Sequence, residues 1–268
     1  MAARPAFITG GSSGIGLAIA LKLAARGHPL VLFARDGTKL ERARETIMAA
    51  APGTAVAIYC VDVGDANAAV AVFQQAIDEC GTPGWAIASA GIAEPGLFLE
   101  QPLSRMQAQM DINYGGSLRF AHAVAPVMAR AGGGRLVFIS SGSAFIGLFG
   151  YAGYGPTKFA VRGLAETLRV ELAGAGVHVT LAYPPDTDTP QLAAEEKLKP
   201  AATKAITSSG GVLSAEAVAA SILRAADANH FLATPGWQMT ALACLHSLIA
   251  PAFRAWQRGM VRKHGTRR

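Results

Sequence analysis

Cysteine is scarce in this chain: Cys60, Cys80 and Cys244 are the three in 268 residues. They are odd in number and form no CxxC pair, which excludes a disulfide framework and a cysteine-bound zinc. They are read as reduced, buried thiols of a reducing compartment, so a cytoplasmic location is expected. Charge is scarce too, at 16% of residues against 51% hydrophobic, with 30 glycines. That balance excludes a disordered chain and fits an α/β domain with a large core. Low-complexity tracts, short-period repeats and linkers are lacking. The opening MAARPAFITG runs straight into a strand pattern, so neither a signal peptide nor an N-terminal membrane span is expected. Acid is missing after Asp227, while Arg254, Arg258, Arg262, Lys263, Arg267 and Arg268 follow it. Residues 1–227 hold 18 basic and 18 acidic groups. The net charge of +6 therefore belongs to the C-terminal segment. It has no aromatic interleaving beyond Trp256, which argues against nucleic acid as a partner.

What is present is alternation. Apolar runs at 5–10, 29–35, 55–63, 85–91, 134–141 and 177–184 each stand near a helical pattern such as 14–27, 38–51 or 66–80. Strand–helix repetition with uniformly apolar strands predicts a parallel sheet covered on both faces, a doubly wound Rossmann-type fold. One domain over 1–236 is expected, with an apolar then basic extension over 237–268.

The turn between the first strand and helix reads TGGSSGIG. Gly10, Gly14 and Gly16 permit a tight turn and let backbone N–H groups approach a pyrophosphate at the helix N-terminus, and Ser12 and Ser13 add hydroxyls. The second strand ends in Ala34 and Arg35 with Lys39 one helical turn on, two cations that suit a 2′-phosphate, hence NADP(H). Asp36 follows Arg35 and blurs that choice. Asp62, after the third strand, is placed to bond an adenine amino group.

YGPTK sets Tyr154 and Lys158 four apart, on one face of a helix. An ammonium beside a phenol favours the phenolate and lowers its pKa from about 10. Such a tyrosine exchanges a proton with a carbonyl or alcohol. Ser141 ends the strand that reads FISS, at the edge where parallel sheets bind ligands.

In TGGSSGIG, Asp62, INYGGS, FISS and YGPTK, over nearly its whole length, the chain resembles the short-chain dehydrogenase/reductases. The resemblance implies a Ser141–Tyr154–Lys158 triad, with Asn113 supporting a water-mediated proton relay and Lys158 holding the nicotinamide ribose. It also implies hydride transfer from NADPH to a ketone, and a homo-oligomer, dimer or tetramer. Cofactor contacts are implied at Ile15, Val63, Ala90, Gly91, Pro184, Thr187 and Thr189 as well. The family's Asn-Ala-Gly after the fourth strand is Ser89-Ala90-Gly91 here, and its Pro-Gly after the sixth is Pro184-Pro185.

The connection from Asp186 to about Val212 has the length of a lid. Residues 189–200 read as a short amphipathic helix and 202–212 as a flexible return. The apolar stretches 91–100 and 143–151 are candidate walls for a large apolar substrate. Residues 237–253 are apolar but too short, and interrupted by Pro251, for a membrane span. Followed by Arg254, Arg258 and Arg262 with Trp256, they fit peripheral docking at an anionic membrane surface, a subunit contact or a lid. The stretches 145–190 further resemble the 3-ketosphinganine reductases. That resemblance implies NADPH-dependent reduction of a long-chain amino ketone to sphinganine. A 3-oxoacyl thioester or another lipophilic ketone is the alternative substrate, and a non-catalytic NADP-binding regulator is a remote one. Asp186 and Asp188 have no His or Cys beside them, so no metal is expected. One of them is expected to face the substrate's ammonium group instead.

Overall fold

A computed structural model describes residues 3–208 and 211–264. The chain alternates β1 (Ala6–Thr9), α1 (Gly14–Ala24), β2 (Leu30–Ala34), α2 (Gly37–Ala50), β3 (Val56–Cys60), α3 (Ala66–Cys80) and β4 (Trp85–Ala88). Then come α4 (Leu103–Met110), α5 (Gly116–Arg130), β5 (Gly134–Ile139), α6 (Gly155–Glu171) and β6 (Val177–Ala182). The rest is β7 (Thr187–Asp188), α7 (Pro190–Leu198), α8 (Ala201–Thr207), β8 (Leu213–Ser214), α9 (Ala215–Asp227), β9 (Leu232–Ala233) and α10 (Trp237–His264).

Seven parallel strands form the main sheet in the order β3-β2-β1-β4-β5-β6-β9. Helices cover both faces, so side chains alternate between two cores. From β1, Phe7 joins Phe33, Phe73 and Phe120 on one side. Its neighbour Ile8 joins Ile19, Leu23 and Leu32 on the other. This explains why the strands read as unbroken apolar runs. The strand order reverses between β1 and β4, opening a crevice at their C-terminal ends.

Four expectations are corrected. The return over 202–212 is not simply flexible chain: α8 occupies 201–207, with Ala202, Thr203 and Ile206 buried. Residues 209–210 of that return lie outside the described residues. The helix read at 189–200 forms, but it is not amphipathic, because its buried residue is Glu195. Pro251 does not interrupt the C-terminal segment, since α10 runs through it for 28 residues. The cysteines are not buried: Cys60 and Cys244 are exposed and Cys80 is half-buried. Among the described residues no helix is long and apolar enough to cross a membrane.

The lid is clamped at its base. β7 and β8 pair parallel, Thr187 with Leu213, and the Leu213 N–H donates to the Asp186 carbonyl at 3.0 Å. The residues between them project as α7 and α8 over the sheet's C-terminal edge.

Candidate active site

One cavity of about 580 Å³ opens along the C-terminal ends of β1, β4, β5 and β6. It is lined by the glycine turn (Gly10, Ser12, Ser13, Gly14, Ile15, Gly16) and by Arg35, Lys39, Asp62 and Val63. Ala90, Gly91, Ser141, Tyr154, Lys158, Pro184, Thr187 and Thr189 complete the set read from the sequence. Asn113 is the exception. It is buried behind the wall, in a π-helical turn, Asp111–Gly115, between α4 and α5. Such turns recur at functional sites. Its Oδ1 accepts from the Ile92 N–H at 2.8 Å. Its Nδ2 donates to the Ile92 carbonyl at 2.9 Å and to Thr157 Oγ1 at 3.0 Å. The Asn113 side chain thus ties the segment after β4 to α6.

The glycine turn fits a pyrophosphate by its shape. Gly10 and Gly14 have φ of +68° and +54°. A Cβ on Gly16 would lie 2.3 Å from the Gly10 carbonyl oxygen, and one on Gly10 would lie 2.9 Å from Ala90. Backbone therefore lines the turn where side chains would fill it. Across the crevice Thr189 Cγ2 comes within 3.0 Å of a Cβ position on Gly14, while its Oγ1 caps α7 by accepting from the Leu192 N–H at 3.2 Å. Pro185 reinforces the same segment, its carbonyl accepting from Thr187 Oγ1 at 2.8 Å.

At the end of β2, Asp36 has a structural role. Its Oδ1 accepts from the Lys39 N–H at 3.0 Å as the N-cap of α2, which holds its carboxyl below the usual range. Arg35 Nη1 lies 3.7 Å from Asp62 Oδ2, and Arg35 and Lys39 stay more than half exposed at the cavity rim. Asp36 lines the cavity too, its Oδ2 3.6 Å from Lys39 Nζ, so Arg35 and Lys39 are presented beside the carboxylates of Asp36 and Asp62. The departure at Ser89 is accommodated by backbone, since the Ser89 and Ala90 N–H groups both donate to Thr9 Oγ1, at 3.1 and 3.2 Å.

Tyr154 stands just before the first residue of α6, and Lys158 one turn on. Ser141 Oγ accepts from the Ser143 N–H at 3.3 Å, and its side chain favours the Tyr154 phenolate. Lys158 Nζ lies 5.5 Å from the centre of the Tyr154 ring and donates to the Ile139 carbonyl at 3.0 Å. The expected lowering of the phenol pKa is not found. Burial raises Tyr154 above its ordinary 10, the Glu195 and Asp186 charges raise it further, and only Ser141 opposes them. Lys158 bears the opposite shift, pulled down to about 8 by burial. The phenol is thus held as a proton donor at neutral pH.

The substrate walls are partly as read. Ile146, Leu148 and Tyr151 line the cavity, whereas Phe145 turns away to stack on Tyr183 at 4.3 Å. From 91–100 only Gly91 and Ile92 line it, and Phe98 and Leu99 face solvent. Asp186 lines the cavity and Asp188 does not, being exposed. Five lining residues were not singled out in the sequence, although the segments that carry them were read as a lid or with a lid as one alternative. Glu195 on α7 and Ile206 on α8 line the cavity, and so do Met239, Leu242 and Phe253 of α10. Gln257 anchors α10 by accepting from the Phe149 N–H and donating to the Gly147 carbonyl, each at 3.0 Å.

The comparisons agree with this architecture. The family model described as short chain dehydrogenase matches residues 4–199. The chain is 38% identical to a 3-dehydrosphinganine reductase of Danio rerio, over 88% of this chain and 73% of that protein. It is 35% identical to 3-dehydrosphinganine reductase TSC10A of Arabidopsis thaliana, over 94% of this chain and 77% of that protein. A solved short-chain dehydrogenase from Sphingobium yanoikuyae, in complex with NADPH, superposes with a TM-score of 0.79. It is 27% identical and covers 99% of this chain and 97% of that one. With a family model over residues 4–199 and a relative 38% identical over 88% of it, the chain belongs to the short-chain dehydrogenase family.

Proposed function

We propose that this chain reduces the ketone of a long-chain 2-amino-3-oxo lipid, 3-dehydrosphinganine, to the alcohol with NADPH. One observation carries the reading. A single cavity joins the glycine turn, the Ser141–Tyr154–Lys158 group and an apolar wall of Ile146, Leu148, Ile206, Met239, Leu242 and Phe253. The first suits a dinucleotide, the second a carbonyl, the third an alkyl chain. The names of the relatives supply the substrate.

NADPH, when bound, supplies the hydride. The turn at Gly10–Gly16 would hold its pyrophosphate, and Arg35 and Lys39 its 2′-phosphate. Ser141 Oγ donates a hydrogen bond to the substrate carbonyl, and Tyr154 Oη delivers the proton as the oxygen gains charge. Lys158, as an ammonium, stabilises the phenolate left on Tyr154. Asn113 positions the segment after β4, and the water-mediated proton relay that the resemblance implies for it is part of the proposal.

The exposed side of α10 carries Trp237, Leu245, Leu248 and Trp256, then Arg254, Arg258, Arg262 and Lys263 toward its end. Apolar residues followed by cations suit an anionic membrane face, from which a lipid substrate would enter. A cytoplasmic placement belongs to the same proposal. Leu118 on α5, with Phe159 and Val170 on α6, is exposed and suits contact with a second copy.

The test is NADPH consumption with 3-dehydrosphinganine against acetoacetyl-CoA. Turnover of the first is expected, and turnover of the second alone would refute the reading. Tyr154→Phe is expected to lose about 10²–10⁴-fold in kcat with an unchanged unfolding temperature.

A further inference from the structure

Part of the cavity wall carries charge for which an apolar chain has no use. Asp186 and Glu195 line it, and Glu195 is 8% exposed. Lys199 lies behind them with a fully buried side chain. Its Nζ is 3.5 Å from Glu195 Oε1 and 3.7 Å from Asp186 Oδ2, and it also pairs with Glu196. The buried Tyr151 hydroxyl donates to Glu195 Oε1. Three carboxylates thus converge on one ammonium, and two of them face the cavity. Burial pushes the Asp186 and Glu195 carboxyls up, and Lys199 offsets this only in part. A buried carboxylate short of a counter-charge is costly, and a cation entering from the cavity removes the cost.

A second observation sets this cluster beside the reacting group. The wall leaves negative charge unanswered there. The Tyr151 and Tyr154 rings are 5.7 Å apart, and the charges of Glu195 and Asp186 are felt at Tyr154. An ammonium on the carbon next to a carbonyl sits about 3 Å from the carbonyl oxygen by ordinary bond lengths.

The geometry points to Glu195, with Asp186, as the site that binds a substrate ammonium group adjacent to the reacting ketone, with Tyr151 and Lys199 as positioning residues. This rests on the amino-ketone reading above and names the residues that would enforce it. The bound cation has a second effect. It cancels the negative field that Glu195 and Asp186 impose on Tyr154, so the phenol gives up its proton more readily when the correct substrate is in place. A 3-oxoacyl thioester, lacking the cation, gains neither effect.

The experiment measures KM and kcat for a 2-amino-3-ketone lipid and for its des-amino analogue of equal chain length. Wild type, Glu195→Gln and Asp186→Asn are compared, with thermal unfolding of each. In Glu195→Gln, KM for the amino ketone is expected to rise about 10- to 100-fold more than KM for the analogue. Asp186→Asn is expected to shift the same ratio less. Asp186 is more exposed, so that variant carries the test if Glu195→Gln fails to fold. Equal losses on both ketones would make the cluster structural and overturn the inference, as would a wild type that does not distinguish them. A wild type that reduces neither ketone but does reduce acetoacetyl-CoA removes the functional reading itself.

Discussion

Lys158 is the side chain whose ionisation the fold controls most directly. It is 6% exposed, and burial pulls it down to about 8. The sign follows: below that pH the ammonium is present to stabilise a Tyr154 phenolate, and above it the charge is lost. Tyr154 itself is pushed the other way, so it stays protonated across this range and does not set the limb. Ketone reduction is therefore expected to hold level from about pH 6 to about pH 8 and then fall by up to tenfold per pH unit. A pH profile of kcat/KM checks this, and a profile still level at about pH 9 would contradict it. That Tyr154 and Lys158 share one face was legible from their four-residue spacing, and the catalytic reading needed the glycine turn and Ser141 as well. The direction of the phenol shift was not legible. It depends first on burial and then on Glu195, which lies 41 positions away along the chain and is brought to the cavity by the lid. Spacing reveals neighbours on one helix and says nothing of charges brought from another.

The same limit operates on elements. The six long strands and the helices between them were readable because each buries enough apolar surface to impose a period. β7, β8 and β9 were not, as two residues carry no period. They exist because the chain on either side is held, as where the Tyr183 N–H donates to the Ala233 carbonyl at 2.8 Å. α10 was misjudged at Pro251, since proline removes a single helical donor and neighbouring contacts outweigh it. Those contacts are local: Phe253 and Met239 meet the cavity, Met239 Sδ coming within 3.1 Å of a Cβ position on Gly142, and Gln257 secures the loop at 147–149. Gln257→Ala removes both of those hydrogen bonds. A loss of about 1–3 kcal/mol is expected in unfolding measurements. Because Ile146 and Leu148 belong to that loop, KM for a long-chain ketone is expected to rise several-fold while a short ketone changes little. If stability and both KM values stay at wild type, the helix does not support that wall.

At the scale of the whole molecule, an all-parallel sheet gathers the site at one end, because every strand delivers its C-terminus there. The lid and α10 close over that end, and α10 then presents its outer side to the surroundings. Trp237 is 76% exposed, Leu248 78%, Leu245 48% and Trp256 40%. A row this apolar beside the mouth of a cavity is unusual for a surface that meets only water. Each of these side chains contributes about 1.5–3 kcal/mol if buried in lipid, and each nearby cation about 1 kcal/mol at an anionic surface. Arg254, Arg258, Arg262 and Lys263 lie on the same helix, while Arg267 and Arg268 lie outside the described residues. The expected behaviour is co-sedimentation with phosphatidylserine-containing vesicles, weaker with phosphatidylcholine alone and weakened by salt of about 0.5 M as the Debye length shrinks. Replacing Leu245, Leu248 and Trp256 together by Ser should abolish sedimentation and lower turnover of vesicle-borne ketone. Turnover of ketone presented in detergent should be retained, since none of the three lines the cavity. Undiminished sedimentation of that variant would assign the exposed row to a second copy of the chain, and its oligomeric state should then fall instead.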